Sequence, residues 1–201
     1  MTHGLKTRIP ETTAHLCIDM QRMFVEGTEW HTPWAAKTLP AIEALCSARP
    51  ERLWFTRFIP AATPDEAGGA WRDYWRRWST MTKNALNPAM LDLALPLQRF
   101  APPAQIIDKT VYSAWSGTHL HKAFKDQGVD TLVVTGAETD VCVLSTVLGA
   151  IDLGYRIVVV SDGVCSSADQ PHDHLLALYS DRFSLQVETA ECREVLGAWV
   201  A

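Results

Sequence analysis

The chain has 201 residues, 47% of them hydrophobic and 20% charged, and a formal net charge of −5 at pH 7. This composition excludes an intrinsically disordered or fibrous chain and is typical of one globular domain, here residues 1–201. The acidic balance argues against nucleic-acid binding, and no apolar run is long enough to span a bilayer. Because no apolar leader is visible and the five cysteines include no C-x-x-C pair, we expect a cytoplasmic protein with free thiols.

Six short apolar segments alternate with helical patterns along the chain. Uninterrupted β-branched runs, such as 158–160, favour strands that are buried on both faces, as in a parallel sheet. Helix-start residues follow most of these runs and predict the intervening helices. The alternation predicts a doubly wound α/β sheet. The predicted strands lie at 14–18, 53–56, 105–107, 131–135, 156–160 and 183–187.

Residues 58–103 depart from this alternation. Loops that contain several prolines flank a stretch in which Trp71, Trp75 and Trp78 recur at helical spacing. So long an excursion in a compact domain is typical of a binding loop or a subunit contact. The tryptophans could pack over the sheet within the chain or face a second subunit, and the sequence leaves both open.

Polar residues follow three of the predicted strands, at the edge where doubly wound sheets bind ligands. Asp19 follows the first strand, Lys109 the third, and Cys142 comes shortly after the fourth. Thr139 caps a predicted helix, which would place Cys142 in the first turn, where unpaired N–H groups lower the pKa of a thiol. An acid, an ammonium and a thiol would then form an activated nucleophile.

Each of these three residues also has a common structural role. Asp19 could cap the following loop, Lys109 could be a solvated surface charge, and Cys142 could be a small buried hydrophobe. No single one of these residues distinguishes a catalytic role from a structural one.

Three segments carry a resemblance to a known family: Ile18-Asp19-Met20-Gln21 with Phe24, Asp108-Lys109-Thr110-Val111-Tyr112-Ser113-Ala114-Trp115, and Thr135-Gly136-Ala137-Glu138-Thr139-Asp140-Val141-Cys142-Val143. They resemble the isochorismatase-like cysteine hydrolases, which include nicotinamidase and N-carbamoylsarcosine amidohydrolase. The resemblance extends over about residues 12–190. It implies a Rossmann-like three-layer α/β/α fold with a six-stranded, mostly parallel sheet of order 3-2-1-4-5-6. It also implies a catalytic triad of Asp19, Lys109 and Cys142.

The resemblance further implies a mechanism. Asp19 would take the thiol proton of Cys142, and Lys109 would hold the negative charge in place. The thiolate would attack a carbonyl carbon while the backbone N–H groups of Glu138 and Cys142 hold the oxyanion, and water would hydrolyse the thioester. A non-proline cis peptide would lie between Ala137 and Glu138.

The leading function hypothesis is hydrolysis of a C–N bond in a small amide, ureide or carbamoyl compound. Vinyl-ether hydrolysis of the isochorismate type is one alternative, although relatives with that chemistry lack a cysteine at the position of Cys142. A non-catalytic binding domain on the same scaffold is another. Nucleotide-cofactor binding is disfavoured because no G-x-G-x-x-G follows the first strand.

We expect aromatic walls and a few polar groups around the substrate. Arg57 could pair with a substrate carboxylate or carbonyl, or with a loop acid such as Asp65 or Glu66. Glu138 could bind a substrate N–H or point to solvent. The predicted substrate-binding residues are Phe24, Arg57, Trp78, Tyr112, Trp115 and Glu138.

The sequence predicts no metal site and no cofactor. Nicotinamidases carry an Asp-x-His metal motif after the second strand, whereas this chain reads Thr56-Arg57-Phe58-Ile59-Pro60 there. No histidine occurs between His31 and His119, and the other histidine pairs are two residues apart on predicted helices, so they face different directions. The resemblance implies a small-molecule substrate and a homodimer or homotetramer.

Overall fold

The computed structural model describes residues 4–199, which contain one six-stranded sheet. All neighbouring strands are parallel, in the order β3-β2-β1-β4-β5-β6. The predicted α/β class and the strand order implied by the resemblance are therefore confirmed. The strands are β1 (Ala14–Ile18), β2 (Leu53–Phe58), β3 (Gln105–Lys109), β4 (Thr131–Ala137), β5 (Arg156–Cys165) and β6 (Val187–Ala190).

Helices cover both faces of the sheet. Side chains alternate along β4 and β5, so Val133 and Val158 pack against helices on one face of the sheet, whereas Val134 and Val159 pack against helices on the other face. Three layers, α/β/α, result. Within residues 4–199 the α-helices are α1 (Arg22–Val25), α2 (Ala35–Ala48), α3 (Ala70–Arg77), α4 (Leu95–Gln98), α5 (Leu120–Asp126), α6 (Leu144–Asp152), α7 (Asp169–Asp181) and α8 (Cys192–Ala198).

The sixth strand lies later in the chain than predicted, at Val187–Ala190 instead of 183–187. Residues after α7 form a tight turn, in which the N–H groups of Gln186 and Val187 both donate to the Phe183 carbonyl. Residues 183–186 are therefore closed in a turn, and pairing with β5 begins only at Val187. Leu185, which the alternating pattern had placed in the strand, is 89% exposed.

Residues 59–103, which follow β2, form no strand and pack back onto their own chain. Trp75 in α3 is buried, with ring centroids 5.9 Å from Phe58 and 5.8 Å from Trp30. Trp71 and Trp78 belong to the same aromatic cluster. Packing within the chain thus accounts for the tryptophans at helical spacing, and the predicted oligomer stays a prediction. No helix in residues 4–199 is both long and apolar enough to cross a membrane.

Candidate active site

Asp19 lies at the carboxyl end of β1 and is fully buried, with a backbone φ of 49°. The neighbouring strand β4 approaches closely at Gly136, which has a φ of 115°. A side chain at Gly136 would place its Cβ 2.0 Å from the Ile18 carbonyl oxygen. Only glycine therefore allows β4 to lie so close to the strand end that carries Asp19.

Lys109, the last residue of β3, forms a buried ion pair with Asp19. Its Nζ lies 2.6 Å from Asp19 Oδ2, both side chains are inaccessible to solvent, and Nζ also donates to the Val111 carbonyl at 3.1 Å. Burial acts to lower the pKa of the Lys109 ammonium, but the attraction of Asp19 and Cys142 outweighs it and the pKa is raised. The Lys109 ammonium is therefore positively charged, and it lies against the Asp19 carboxyl group with both side chains shielded from solvent.

Thr56 on β2 holds the other oxygen of the Asp19 carboxylate. Its hydroxyl donates to Asp19 Oδ1 at 2.6 Å, and the Asp19 N–H donates to the Thr56 carbonyl at 3.2 Å. The sequence prediction missed Thr56, because a threonine inside an apolar strand carries no signal of its own. The signal appears only once the strand order places β2 beside β1.

Cys142 reaches the ion pair from a π-helical turn, Thr139–Val143, which follows β4 and leads into α6. Burial raises the pKa of the Cys142 thiol, and so do the charge of Asp19 and a hydrogen bond with it, while Lys109 lowers it. The predicted lowering of this pKa was therefore wrong, because burial outweighs the effect of a helix start. The resting group is a neutral thiol next to a carboxylate that can accept its proton.

Glu138 directly precedes this turn, and the peptide bond between Ala137 and Glu138 is cis. The carboxylate does not point freely into solvent, since its Oε1 accepts a hydrogen bond from the Ser167 N–H at 2.9 Å. The Glu138 carbonyl accepts from the N–H groups of Val141 and Val143. Both ends of the residue are thus fixed at the mouth of the thiol site.

A pocket of about 230 Å³ opens onto Cys142. Of the predicted substrate-binding residues, Phe24, Trp78, Tyr112 and Glu138 line it. The prediction missed six further lining residues. Four of them, Glu29, Trp30, Phe58 and Tyr74, reach the pocket through long-range packing of the segment around Trp30 and of residues 58–103. The other two are Val141, which directly precedes Cys142, and Ser167, whose N–H donates to Glu138.

Arg57 does not line this pocket, so its predicted role is corrected. Its guanidinium makes a bidentate pair with Asp108, at 2.8 and 2.9 Å, and lies 3.8 Å from Asp92. Side chains alternate along a strand, so Arg57 lies on the opposite face of β2 from Thr56 and Phe58. The alternative expected for Arg57 was an ion pair with Asp65 or Glu66, and the structure shows an ion pair with Asp108 instead.

Trp115 does not line the pocket either. Its ring stacks on Tyr155 at 5.4 Å, and its Nε1 donates to the Thr146 carbonyl at 2.8 Å. Close packing against Gly149 fixes it further, since a Cβ there would lie 2.6 Å from the indole ring. Trp115 therefore supports α6, the helix that follows the Cys142 turn.

No group of three or more His, Cys, Asp or Glu side chains within residues 4–199 is arranged to hold a metal ion. The imidazole of His15, in the central strand β1, is buried 2.8 Å from the Thr135 hydroxyl, and burial lowers its pKa to about 3. The donor set of a nicotinamidase-type metal site is not assembled by the described residues. Metal independence itself stays a prediction.

The Isochorismatase domain family model matches residues 13–191 of this sequence. The chain belongs to the isochorismatase family. Members of this family are hydrolases, so the resemblance drawn from the three motifs is confirmed and this isochorismatase-family protein is a hydrolase.

The alignments of this hydrolase with its relatives span different shares of the chain. It is 26% identical to the nicotinamidase of Escherichia coli (strain K12), over 80% of this chain and 86% of that protein. It is 34% identical to an isochorismatase family protein of Bacillus subtilis (strain 168), but the match spans only 43% of this chain and 47% of that relative. A further relative, from Methylobacterium radiotolerans, is named ureidoacrylate amidohydrolase and is 26% identical over 94% of this chain and 81% of that protein.

Solved structures share the fold. A cysteine hydrolase from Pseudomonas syringae pv. phaseolicola 1448A superposes with a TM-score of 0.82 at 21% identity, covering 97% of this chain and 96% of that chain. At this identity the likeness concerns the fold alone.

Proposed function

We propose that this isochorismatase-family hydrolase cleaves a C–N bond in a small amide, ureide or carbamoyl compound, with Cys142 as the nucleophile. The observation that carries the proposal is the buried Asp19–Lys109 pair, 2.6 Å apart, beside a neutral thiol that opens into the pocket. Relatives with the names nicotinamidase and ureidoacrylate amidohydrolase support the substrate class.

The first half of the reaction forms a thioester. Asp19 accepts the thiol proton as the Cys142 sulfur attacks the substrate carbonyl carbon, and the Lys109 ammonium stabilises the negative charge that appears on sulfur. The tetrahedral intermediate collapses with cleavage of the C–N bond. Asp19 returns its proton to the departing nitrogen, which leaves as ammonia or an amine.

The second half hydrolyses the thioester. Asp19 takes a proton from an incoming water molecule, whose oxygen attacks the same carbonyl carbon. The C–S bond breaks, the acid product leaves and the proton returns to the Cys142 sulfur. In both halves, the backbone N–H groups of Glu138 and Cys142 are the proposed donors to the oxyanion.

Thr56 has a positioning role in this scheme. Its hydroxyl occupies one carboxylate oxygen of Asp19 and Lys109 faces the other, so the carboxylate cannot rotate away from the thiol. A base held in one orientation loses little entropy when the proton is transferred.

A screen for ammonia release from small amides and ureides tests the function. We expect turnover of at least one member by the wild-type enzyme, with and without a chelator, and no turnover by Cys142→Ala. A suitable control is Cys192→Ala, since Cys192 lies in α8, remote from the pocket lining. Substantial turnover by Cys142→Ala would contradict the nucleophile, and loss of activity on chelation, restored by a metal, would contradict metal independence.

A further inference from the structure

The pocket has an unusual combination of wall and charge. Six of its eleven lining residues are aromatic: Phe24, Trp30, Phe58, Tyr74, Trp78 and Tyr112. Two others, Glu29 and Glu138, carry carboxylates, and no lysine or arginine of the described chain lines the pocket. The nearest buried cation, Lys109, is neutralised by Asp19 at 2.6 Å.

The aromatic wall already packs against cations of the protein itself. The guanidinium of Arg77 lies 4.5 Å from the centroid of the Trp78 ring, and Lys109 Nζ lies 5.1 Å from that of Phe58. These distances fall within the range at which a ring face attracts a positive charge. The faces of the wall are thus electrostatically suited to a cation.

The two carboxylates are held by neutral donors. Glu138 accepts the Ser167 N–H, and Glu29 accepts the Thr80 hydroxyl. Neither contact supplies a counter-charge. Glu29 is exposed and Glu138 is partly buried, so a neutral substrate that displaced water from Glu138 would desolvate that carboxylate without compensation. An anionic substrate would also be repelled by both carboxylates, whereas a cation would be attracted by them and by the rings.

We propose that the substrate is a small carboxamide or ureide that carries a fixed positive charge, such as an ammonium or a quaternary ammonium group. The Cys142 end of the pocket receives the carbonyl, and the cation lies against the aromatic wall near Glu29 and Glu138. The identity of the reacting bond in this inference rests on the proposed function. The positive charge of the substrate rests separately on the composition of the pocket.

Three substrates that share an acetamide unit test the charge preference: (trimethylammonio)acetamide, its neutral isostere 3,3-dimethylbutanamide, and the anion malonamate. We expect kcat/KM for the cation to exceed that for the neutral isostere by about tenfold or more, with malonamate slowest. A cation-to-neutral ratio near one overturns the inference. Faster hydrolysis of benzamide than of the cationic amide also overturns the inference, because the aromatic wall would then bind a flat neutral ring in preference to a cation.

Variants that remove one carboxylate charge test whether the carboxylates cause the preference for a cationic substrate. Glu138→Gln and Glu29→Gln each keep an oxygen that can accept the existing hydrogen bond, and each should lower the cation-to-neutral ratio several-fold. Glu66→Gln is the matched control, since Glu66 is exposed and does not line the pocket. A ratio unchanged in both pocket variants contradicts the assignment. Because the ratio compares kcat/KM for two substrates of the same variant, a substitution that slows the chemical step equally for both leaves it unchanged.

Binding of tetramethylammonium separates failure of the inference from failure of the function. Quenching of tryptophan fluorescence by this ion, with sodium chloride and tert-butanol as controls, should saturate in the wild type and weaken in Glu138→Gln. Saturable binding without hydrolysis of any amide would refute the proposed reaction and retain the cation site. Hydrolysis of neutral amides without such binding would refute the cation site and retain the reaction.

Discussion

The two sides of the pocket are built from different kinds of structure. On one side, the ends of three parallel strands bring together Asp19, Thr56 and Lys109, all buried and joined by contacts of 2.6 Å. On the other side, aromatic rings from residues 24–30 and 58–78 pack at centroid distances of about 6 Å. The strand-end side is suited to moving one proton between fixed groups, and the aromatic side to selecting what enters. Substitutions on the two sides should therefore have different consequences.

Lys109→Met should give the largest effect, because it leaves the Asp19 carboxylate buried without its partner. We expect activity to be lost and the free energy of unfolding to fall by about 3–5 kcal/mol. Urea unfolding measures the second effect. The double variant Asp19→Asn/Lys109→Met, which removes both charges, should be inactive but more stable than Lys109→Met. A double variant less stable than the single one would argue against a charged pair.

Thr56→Val should have the next largest effect on the strand-end side. It removes the hydroxyl that donates to Asp19 Oδ1, and hydrogen bonds to charged groups contribute about 1.5–3 kcal/mol. We expect kcat to fall at least about tenfold with KM little changed, measured by ammonia release. Thr56→Ser keeps the hydroxyl and should recover most of the rate. Equal losses in the two variants would show that packing, not the hydrogen bond, is what matters.

Trp78→Ala and Trp115→Phe distinguish the aromatic wall from the aromatic core. Trp78 lines the pocket and also packs in the aromatic cluster, so its truncation should raise KM several-fold and lower the stability of the fold. Trp115→Phe should leave KM unchanged and lower stability by about 1 kcal/mol for the lost hydrogen bond to the Thr146 carbonyl, and further for the lost packing of the indole against Gly149. The reverse pattern would mean that the two tryptophans had been assigned to the wrong regions.

Arg57→Gln should have the smallest effect. Its bidentate partner Asp108 is about half exposed, and exposed ion pairs contribute about 0–1 kcal/mol. We expect unchanged kcat/KM for cationic, neutral and anionic amides, and a thermal midpoint within a few degrees of the wild type. A selective loss of activity on an anionic amide would restore Arg57 as a substrate contact.

Part of the strand-end side could be predicted from the sequence because Asp19 and Lys109 stand just after or at the end of recognisable strands, whereas Thr56 lies inside β2 and was missed. Asp19 and Lys109 needed only the strand positions and the rule that parallel strands end at one edge. Arg57 was misplaced because the prediction did not carry the alternation of side chains through β2. The direction in which the Cys142 pKa shifts depends on burial by elements distant in the sequence. The residues around the helix start give no information on that burial.

The aromatic side could be predicted only in part. Phe24 and Tyr112 lie within motifs at strand ends, and Trp78 stood out by its spacing. Trp30 and Tyr74 reach the pocket only because residues 58–103 fold back over the sheet edge, a long-range event with no local signature. The sixth strand was misplaced for a related reason, since a turn closed by Phe183 removes residues from the sheet that an apolar pattern alone would include.

Partitioning with hydroxylamine tests the thioester of Cys142 most directly. An amide substrate found in the screen and the methyl ester with the same acyl group are turned over in the presence of hydroxylamine, with Cys142→Ala reactions subtracted as background. If both pass through one thioester, the ratio of hydroxamate to acid must be the same for the two substrates, while ammonia release from the amide continues. Different ratios, or acid formed from the amide with no hydroxamate, would contradict a covalent intermediate on Cys142.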